Sequence, residues 1–317
     1  MLWQIVRGLL YPETSSCVCV EGERDMAVPT LSHPSLKPVA VVWRCLVVGL
    51  VYALVSMVTS SIGVLMVEMP IALDVDPATV FFSMFIGGIL LALVMGLVST
   101  KLDLPRAQRI GVLFLSLYTF AHLINAPEVL LYTNYPLAFQ AYLVIDQLIV
   151  YLVVAILIGV LFPPPQVGAG LVAAVKGYFA QREARDWLWR FALAAVLFLP
   201  IYYFFGLVFS PMTVPYYNRP ELGLGLVIPG LEVVVPVAIG RGLWYALTVI
   251  PLLAVLRMPK WTLGLWIGLI LAIVGAVVPQ VTNVAWPLPL RLGHGVEVVC
   301  DSFAQGLMMA WLLWVKK

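Results

Sequence analysis

Ionisable and amide side chains recur along one helical face of the last hydrophobic segment. Arg291, His294, Glu297, Asp301 and Gln305 are separated by three, three, four and four residues. Because a helix turns once in about 3.6 residues, this spacing aligns the five side chains. Imidazoles and carboxylates can carry protons, bind solutes or coordinate metals, and such groups are costly inside a membrane-length apolar segment unless they are paired or functional. The segment is therefore a candidate functional site.

Three other parts of the chain add polar side chains at a similar predicted depth. His122, Asn125 and Glu128 follow one another at intervals of three residues, and Asp146 lies in the next hydrophobic segment. Arg241 is predicted to begin the sixth span. The opposite halves of the same segments are nearly all aliphatic, so the polar groups gather in the outer half. The candidate residues for binding a ligand or a proton are His122, Asn125, Glu128, Asp146, Arg241, Arg291, His294, Glu297, Asp301 and Gln305.

Three interpretations of this set stay open. The first is a closed structural network in which Arg241 and Arg291 neutralise carboxylates and hold the spans together. The second, which we prefer, is an outward-open polar site of a transporter-like protein that binds a small solute or a proton. The third is a membrane-embedded enzyme or metal site. The closed network of the first interpretation would favour a non-catalytic membrane scaffold. The nitrogen and oxygen ligands for a metal would be His122, Asp146, His294 and Glu297.

The composition identifies a membrane protein. The chain has 317 residues, of which 62% are hydrophobic and only 11% are charged, whereas soluble domains are about 25% charged. The net charge is +2, and no basic tract suggests a nucleic-acid partner. The expected partners are the lipid bilayer and a small solute or proton, and neither a cofactor nor an oligomeric state follows from the composition.

Hydrophobic segments long enough to cross about 30 Å of hydrocarbon occur eight times. The sequence therefore predicts an all-α, polytopic integral membrane protein with eight transmembrane helices. The predicted spans are at about 40–66, 79–100, 109–133, 139–162, 188–211, 239–258, 260–281 and 294–315.

Lysine and arginine are distributed asymmetrically between the predicted loops. If the N-terminus is inside, most of them fall on the inner side, and the outer side receives only Arg219, Arg241 and Arg291. Basic residues favour the cytoplasmic side of a membrane. We therefore expect a multi-pass protein of the plasma or inner membrane with both termini in the cytoplasm.

The predicted organisation has four parts. Residues 1–38 form an N-terminal cytoplasmic tail, and a hypothesis that translation starts at Met26 would remove residues 1–25. Residues 39–165 form the first four-helix half and residues 188–317 the second. Between them, residues 166–187 mix basic and aromatic side chains as a surface-lying amphipathic helix does.

The two halves resemble each other in sequence. Leu104-Pro105-Arg106 matches Met258-Pro259-Lys260, and Pro136-Leu137 with the following Asp146 matches Pro289-Leu290 with the following Asp301. The offset between matched positions drifts only from about 146 to about 155 residues. Because each half has an even number of spans, this predicts a parallel, non-inverted repeat.

Two further segments carry weaker signals. Residues 212–238 form a long, proline-interrupted outer loop that would cap the bundle or dip back into it. The aromatic run Pro200–Gly206 is typical of interhelical packing in which a tyrosine hydroxyl needs a polar partner.

Overall fold

The computed structural model describes residues 38–67 and 75–316. In these ranges the chain is helical and contains no strand, and eight helices are long and apolar enough to cross a membrane. This confirms the multi-pass, all-α prediction, whereas the predictions for residues 1–37, including the start at Met26, lie outside the described residues. Spans 1 to 8 are Pro38–Met66, Pro77–Ser99, Arg106–Tyr132, Leu137–Leu161, Ala184–Tyr216, Leu231–Val255, Lys260–Thr282 and Leu288–Leu313.

Prolines and one aspartate define several helix starts. Spans 3, 4, 7 and 8 each begin immediately after a proline. Span 2 begins with Pro77, and the Asp76 carboxylate accepts a hydrogen bond of 3.0 Å from the Thr79 backbone N–H. Proline suits these positions because the first N–H groups of a helix have no partner within it.

The structure moves two predicted boundaries. Span 5 begins at Ala184, so the connector contains only a short helix, Leu171–Phe179. Span 6 begins at Leu231 and contains Pro236, although the sequence predicted a later start. Arg241 is therefore not at the start of span 6 but in its third turn. Pro236 is the sixth residue of this helix and removes one backbone hydrogen bond, which helices of membrane proteins tolerate when neighbouring helices pack around them.

Spans 3 and 7 are interrupted in the same way. Each contains a π-helical segment, Thr119–Leu123 in span 3 and Ala272–Val277 in span 7. The two segments pack against each other, and a side chain in place of Gly275 would come within 3.1 Å of the Phe120 carbonyl oxygen. Spans 3 and 7 therefore meet at the centre of the bundle along their π-helical turns.

The spans pack in matching neighbour pairs. Span 1 packs on span 2 as span 5 does on span 6, and span 3 packs on span 4 as span 7 does on span 8. The core between them includes the fully buried Leu117, Phe120, Val154, Ile270 and Met309. Large apolar side chains such as Leu207 remain exposed on the outside of the bundle, as expected for a lipid-facing surface.

The two ends of the bundle differ in composition. We call the end at which the odd-numbered spans begin the basic end, because it carries Lys101, Arg106, Lys176, Arg185 and Lys260. The opposite end is the distal end.

Residues 217–230 form a cap over the distal end, which we call the distal cap. Leu226 forms an antiparallel bridge with Thr133, and the Val227 backbone N–H donates to the Tyr132 carbonyl over 2.9 Å. Gly223 and Gly225 have φ of 64°, a conformation that favours glycine. Leu224 and Leu226 pack with Leu290, so the distal cap joins the end of span 3 to the start of span 8.

Candidate functional site

A buried ion pair joins spans 3 and 6 beneath the distal cap. The Arg241 Nη2 atom lies 2.6 Å from the Glu128 Oε2 atom, and their side chains are 7% and 23% exposed. The same Nη2 atom donates to the Asn125 Oδ1 atom over 3.0 Å. The Tyr202 hydroxyl of span 5 donates to the other Glu128 oxygen over 2.7 Å. The pair therefore connects spans from both halves of the chain.

Local structure prepares the positions of these side chains. Asn125 follows the π-helical segment of span 3, and its amide nitrogen lies 3.4 Å and 3.3 Å from the carbonyl oxygens of Phe120 and Ala121. These carbonyl groups of the π-helical segment thus position the Asn125 side-chain amide, whose oxygen accepts the hydrogen bond from Arg241. The guanidinium carbon lies 5.5 Å and 5.6 Å from the ring centroids of Phe198 and Tyr202, within the range of cation–π contacts.

Span 8 supplies a second group of polar side chains. The His294 Nδ1 and Glu297 Oε2 atoms lie 3.3 Å apart, and the two side chains are 30% and 14% exposed. One turn deeper, the Gln305 side-chain amide donates to the Asp301 carboxylate, and these two residues are 3% and 8% exposed. Asp301 lies about 20 Å below the start of span 8, near its middle.

The groups of spans 3, 6 and 8 form one electrostatic unit, which we call the polar cluster. Asp301 interacts electrostatically with Arg241, Glu128 and Glu297. His294 interacts with Glu128 and Arg241 as well as with its neighbour Glu297. The structure thus brings together most of the predicted ligand- or proton-binding residues, namely Asn125, Glu128, Arg241, His294, Glu297, Asp301 and Gln305.

Asp146 lies in a separate environment. Its carboxylate lies 3.2 Å from the Tyr142 hydroxyl and accepts a hydrogen bond of 2.7 Å from the Gln147 amide. The side chain is 4% exposed and interacts electrostatically with Tyr52 and Tyr151. Sequence reasoning grouped Asp146 with the other carboxylates by depth, but depth does not determine which neighbouring span a side chain faces.

Two more candidates, Arg291 and His122, lie outside the polar cluster. Arg291 donates to the carbonyl oxygens of Gln280 and Val281 over 2.6 Å and 3.0 Å, so it caps the end of span 7. The expectation that it neutralises a buried carboxylate is wrong, because no ion pair involving it occurs among the described residues. His122 stacks on Tyr118 with ring centroids 6.2 Å apart, and its buried Nε2 atom makes no hydrogen bond.

The four predicted metal ligands do not converge. His294 and Glu297 pair with each other, whereas His122 lies on Tyr118 and Asp146 lies beside Tyr142. In residues 38–67 and 75–316, no three His, Cys, Asp or Glu side chains are grouped so that they could hold a metal ion. The geometry therefore gives no support to a metal centre built from these residues.

Tyrosines are the site residues that sequence reasoning missed. Besides Tyr202, the Tyr132 hydroxyl oxygen lies 3.2 Å from the Tyr202 hydroxyl oxygen, and the Tyr132 and Tyr217 rings are 6.1 Å apart. Tyr217 belongs to the distal cap, and burial together with the carboxylates of Glu128 and Glu297 raises the pKa of Tyr217. The available signal was a tyrosine hydroxyl in an apolar span, which requires a polar partner.

Comparisons with protein families, with curated proteins and with solved structures gave no match for this chain. The interpretation of the polar cluster therefore depends on its own geometry and charge.

Proposed function

We propose that the chain is a transporter-like membrane protein whose polar cluster binds a proton or a small cationic solute. The observation that carries the proposal is the charge balance of the cluster. Three carboxylates, Glu128, Glu297 and Asp301, face one permanent cation, Arg241. An unbalanced negative charge in a membrane span is costly, so protonation of His294 together with one bound positive charge would balance the cluster.

The three carboxylates have different roles in this proposal. Glu128 is satisfied by Arg241 and Tyr202 and serves as a structural link between spans. Glu297 has a titratable partner in His294, whose charge depends on protonation. Asp301 has a neutral amide as its hydrogen-bond partner. Asp301 is therefore the carboxylate to which we assign the incoming proton or cation, with His294 and Glu297 on the path from the distal end.

The distal cap would control access to this path. Tyr217 of the cap interacts electrostatically with Glu128 and Glu297, and the Trp286 ring lies 6.3 Å from the His294 ring. A proton or solute that enters from the distal end must pass these side chains. A transporter requires such a barrier, because a permanently open path would be a leak.

A parallel repeat of two four-span halves is part of the proposal. Its support is that both third spans contain a π-helical segment and that equivalent contacts recur. An added side chain at Gly159 of span 4 would collide with Ile110 of span 3, and one at Gly264 of span 7 would contact Ala310 of span 8. At an offset of roughly 150 residues, Ile110 corresponds to Gly264 and Gly159 corresponds to Ala310. Measured from the prolines that precede spans 4 and 8, the counterpart of Asp146 is Glu297 rather than Asp301.

The proposed location is the plasma or inner membrane, with the basic end and both termini in the cytoplasm. The support is the concentration of lysine and arginine at the basic end. In this orientation the polar cluster opens toward the outside and lies in the outer half of the bilayer, apart from Asp301 near the middle.

Infrared difference spectroscopy on the purified protein in lipid nanodiscs would test proton binding. A pH titration should produce a carboxylic acid band that is lost in Asp301→Asn and kept in Glu183→Gln, an exposed carboxylate at the basic end. In proteoliposomes with an entrapped pH dye, proton uptake driven by a membrane potential should fall at least about tenfold in Asp301→Asn, one tenfold step being 1.4 kcal/mol.

The alternative outcomes are distinct. An unchanged carboxylic acid band in Asp301→Asn would refute Asp301 as the proton site. Proton uptake no faster than in protein-free liposomes, with full thermal stability of Asp301→Asn, would favour the non-catalytic scaffold over the transporter.

A further inference from the structure

We propose that a groove at the basic end is a binding site for an anionic phospholipid. The groove lies where the connector helix meets the first turns of span 5, and its volume is about 490 Å³. This lipid groove is lined by Phe179, Arg182, Ala184, Trp187, Leu188 and Phe191. The groove lies at the basic end, whereas the polar cluster lies beneath the distal cap. The proposed function does not depend on the groove.

The walls of the lipid groove suit a hydrocarbon chain. The Trp187 ring lies 5.2 Å from the Phe179 ring and 5.9 Å from the Phe191 ring, so the aromatic side chains hold one another in place. Leu188 is 72% exposed on the open side. Only 17% of span 5 is buried inside the protein, the smallest share of the eight spans. The groove therefore opens onto a surface that faces lipid.

Positive charge collects at the mouth of the lipid groove. Residues 176–190 contain four basic and two acidic side chains. Arg182 donates to the carbonyl oxygens of Leu312 and Trp314 over 3.0 Å and 2.7 Å, which fixes its guanidinium beside the groove. Arg182 and Arg190 both pair with Asp186, over 3.6 Å and 3.1 Å, so one carboxylate faces two guanidinium groups and the site is short of negative charge.

Arg185 is the side chain best placed to bind a phosphate. It is exposed, and no carboxylate of the described chain pairs with it. It precedes Leu188 by three residues, so the two side chains are neighbours on the helix surface. A phosphate on Arg185 would continue into an acyl chain along Leu188, whereas a free phosphate ion would leave the apolar walls unused. Basic pockets at the ends of membrane spans bind lipid head groups in this way.

Native mass spectrometry of the full chain can test the proposal with two lipids that differ only in the head group. Phosphatidylglycerol should be retained in preference to phosphatidylcholine with the same acyl chains. Arg185→Gln should reduce retention of phosphatidylglycerol about fivefold, because each interfacial basic residue contributes about that factor. It should reduce retention of phosphatidylcholine less, because the choline ammonium of that lipid offsets its phosphate charge. Leu188→Gln should reduce retention of both lipids.

Matched variants separate the groove from general effects. Arg257→Gln removes another exposed basic side chain of the same end, and Val42→Gln makes another exposed apolar position of the membrane surface polar; both should retain lipid like the parent. A photoreactive leucine analogue at Leu188 should form adducts with lipid. Equal retention of the two lipids, equal loss in Arg257→Gln, or adducts only with another part of the chain or a second copy would overturn the proposal.

Discussion

The two buried arginines of residues 38–67 and 75–316 have different partners. At the basic end, Arg109 donates to the carbonyl oxygens of Leu104 and Gly159. Beneath the distal cap, Arg241 faces a carboxylate. A carbonyl oxygen has a fixed partial charge, whereas a carboxylate can gain a proton. The surroundings of Arg109 therefore have a fixed charge, and our proposal is that the polar cluster around Arg241 can change its charge.

The ion pair should be the most costly feature to break. Glu128→Leu would leave the buried Arg241 without its anion, and removal of one partner of a buried pair costs about 3–5 kcal/mol. The double variant Glu128→Leu/Arg241→Leu should recover most of that loss, because no charge then remains. Reversible unfolding in detergent, followed by tryptophan fluorescence, measures both. A single variant within about 1 kcal/mol of the parent would mean that water reaches Arg241.

The basic end should be less sensitive to the loss of an arginine. Arg109→Met removes a 4% exposed cation together with two hydrogen bonds to carbonyl groups, and leaves no unpaired charge. We expect a loss of about 1–3 kcal/mol in the same unfolding experiment. Arg106→Met, at an exposed position one turn earlier, should change the stability by less than about 0.5 kcal/mol. A loss as large as that of Glu128→Leu would remove the distinction between the two ends.

Sequence patterns predicted the spans far better than the partners within the site. Length and hydropathy are sufficient for a helix that crosses a membrane, so all eight spans were predictable. Helical spacing also predicted that His294, Glu297 and Asp301 share a face. Which side chain on another span they meet depends on how the helices pack, and for this reason Asp146 and Arg291 were wrongly grouped with them.

Backbone details were the least predictable. A π-helical turn leaves no distinct periodicity in the sequence, so the segments of spans 3 and 7 were not expected. Pro236 favoured a late start of span 6, although a proline near the start of a helix is tolerated. Both errors affect the polar cluster, because Asn125 follows one π-helical segment and Arg241 lies in span 6.

The distal end should lose activity when the cap is locked. Thr133 and Leu226 are bridge partners, so Thr133→Cys/Leu226→Cys places two thiols at a distance compatible with a disulfide. In a background without the four native cysteines, Cys17, Cys19, Cys45 and Cys300, oxidation should reduce proton uptake in proteoliposomes by about tenfold, equivalent to 1.4 kcal/mol in the barrier. Reduction should restore it. Full activity of the oxidised protein would show that the path does not require movement of the cap.

The smallest effect is expected from the loss of one of the neutral hydrogen bonds that attach the distal cap. Tyr135→Phe removes the hydroxyl that donates to the Leu224 carbonyl over 3.0 Å. Loss of such a bond costs about 0.5–1.5 kcal/mol. Amide hydrogen exchange should accelerate in residues 218–228 and remain unchanged in spans 3 and 8. Tyr216→Phe, whose hydroxyl makes no hydrogen bond in the described structure, is the matched control.

The same bond predicts how the attachment of the distal cap depends on pH. Burial raises the pKa of Tyr135 above its ordinary value of 10.0. A raised pKa means that the folded protein holds this proton more tightly than the unfolded chain does. The contribution of Tyr135 is then complete below about pH 10 and is lost as the pH rises beyond that value. Exchange in residues 218–228 should therefore show no Tyr135-dependent change between about pH 6 and pH 9, once the intrinsic effect of pH on exchange is removed. A difference between the parent and Tyr135→Phe that disappears within this range would mean that the pKa of Tyr135 is lowered rather than raised, which would contradict a buried hydroxyl that donates to the distal cap.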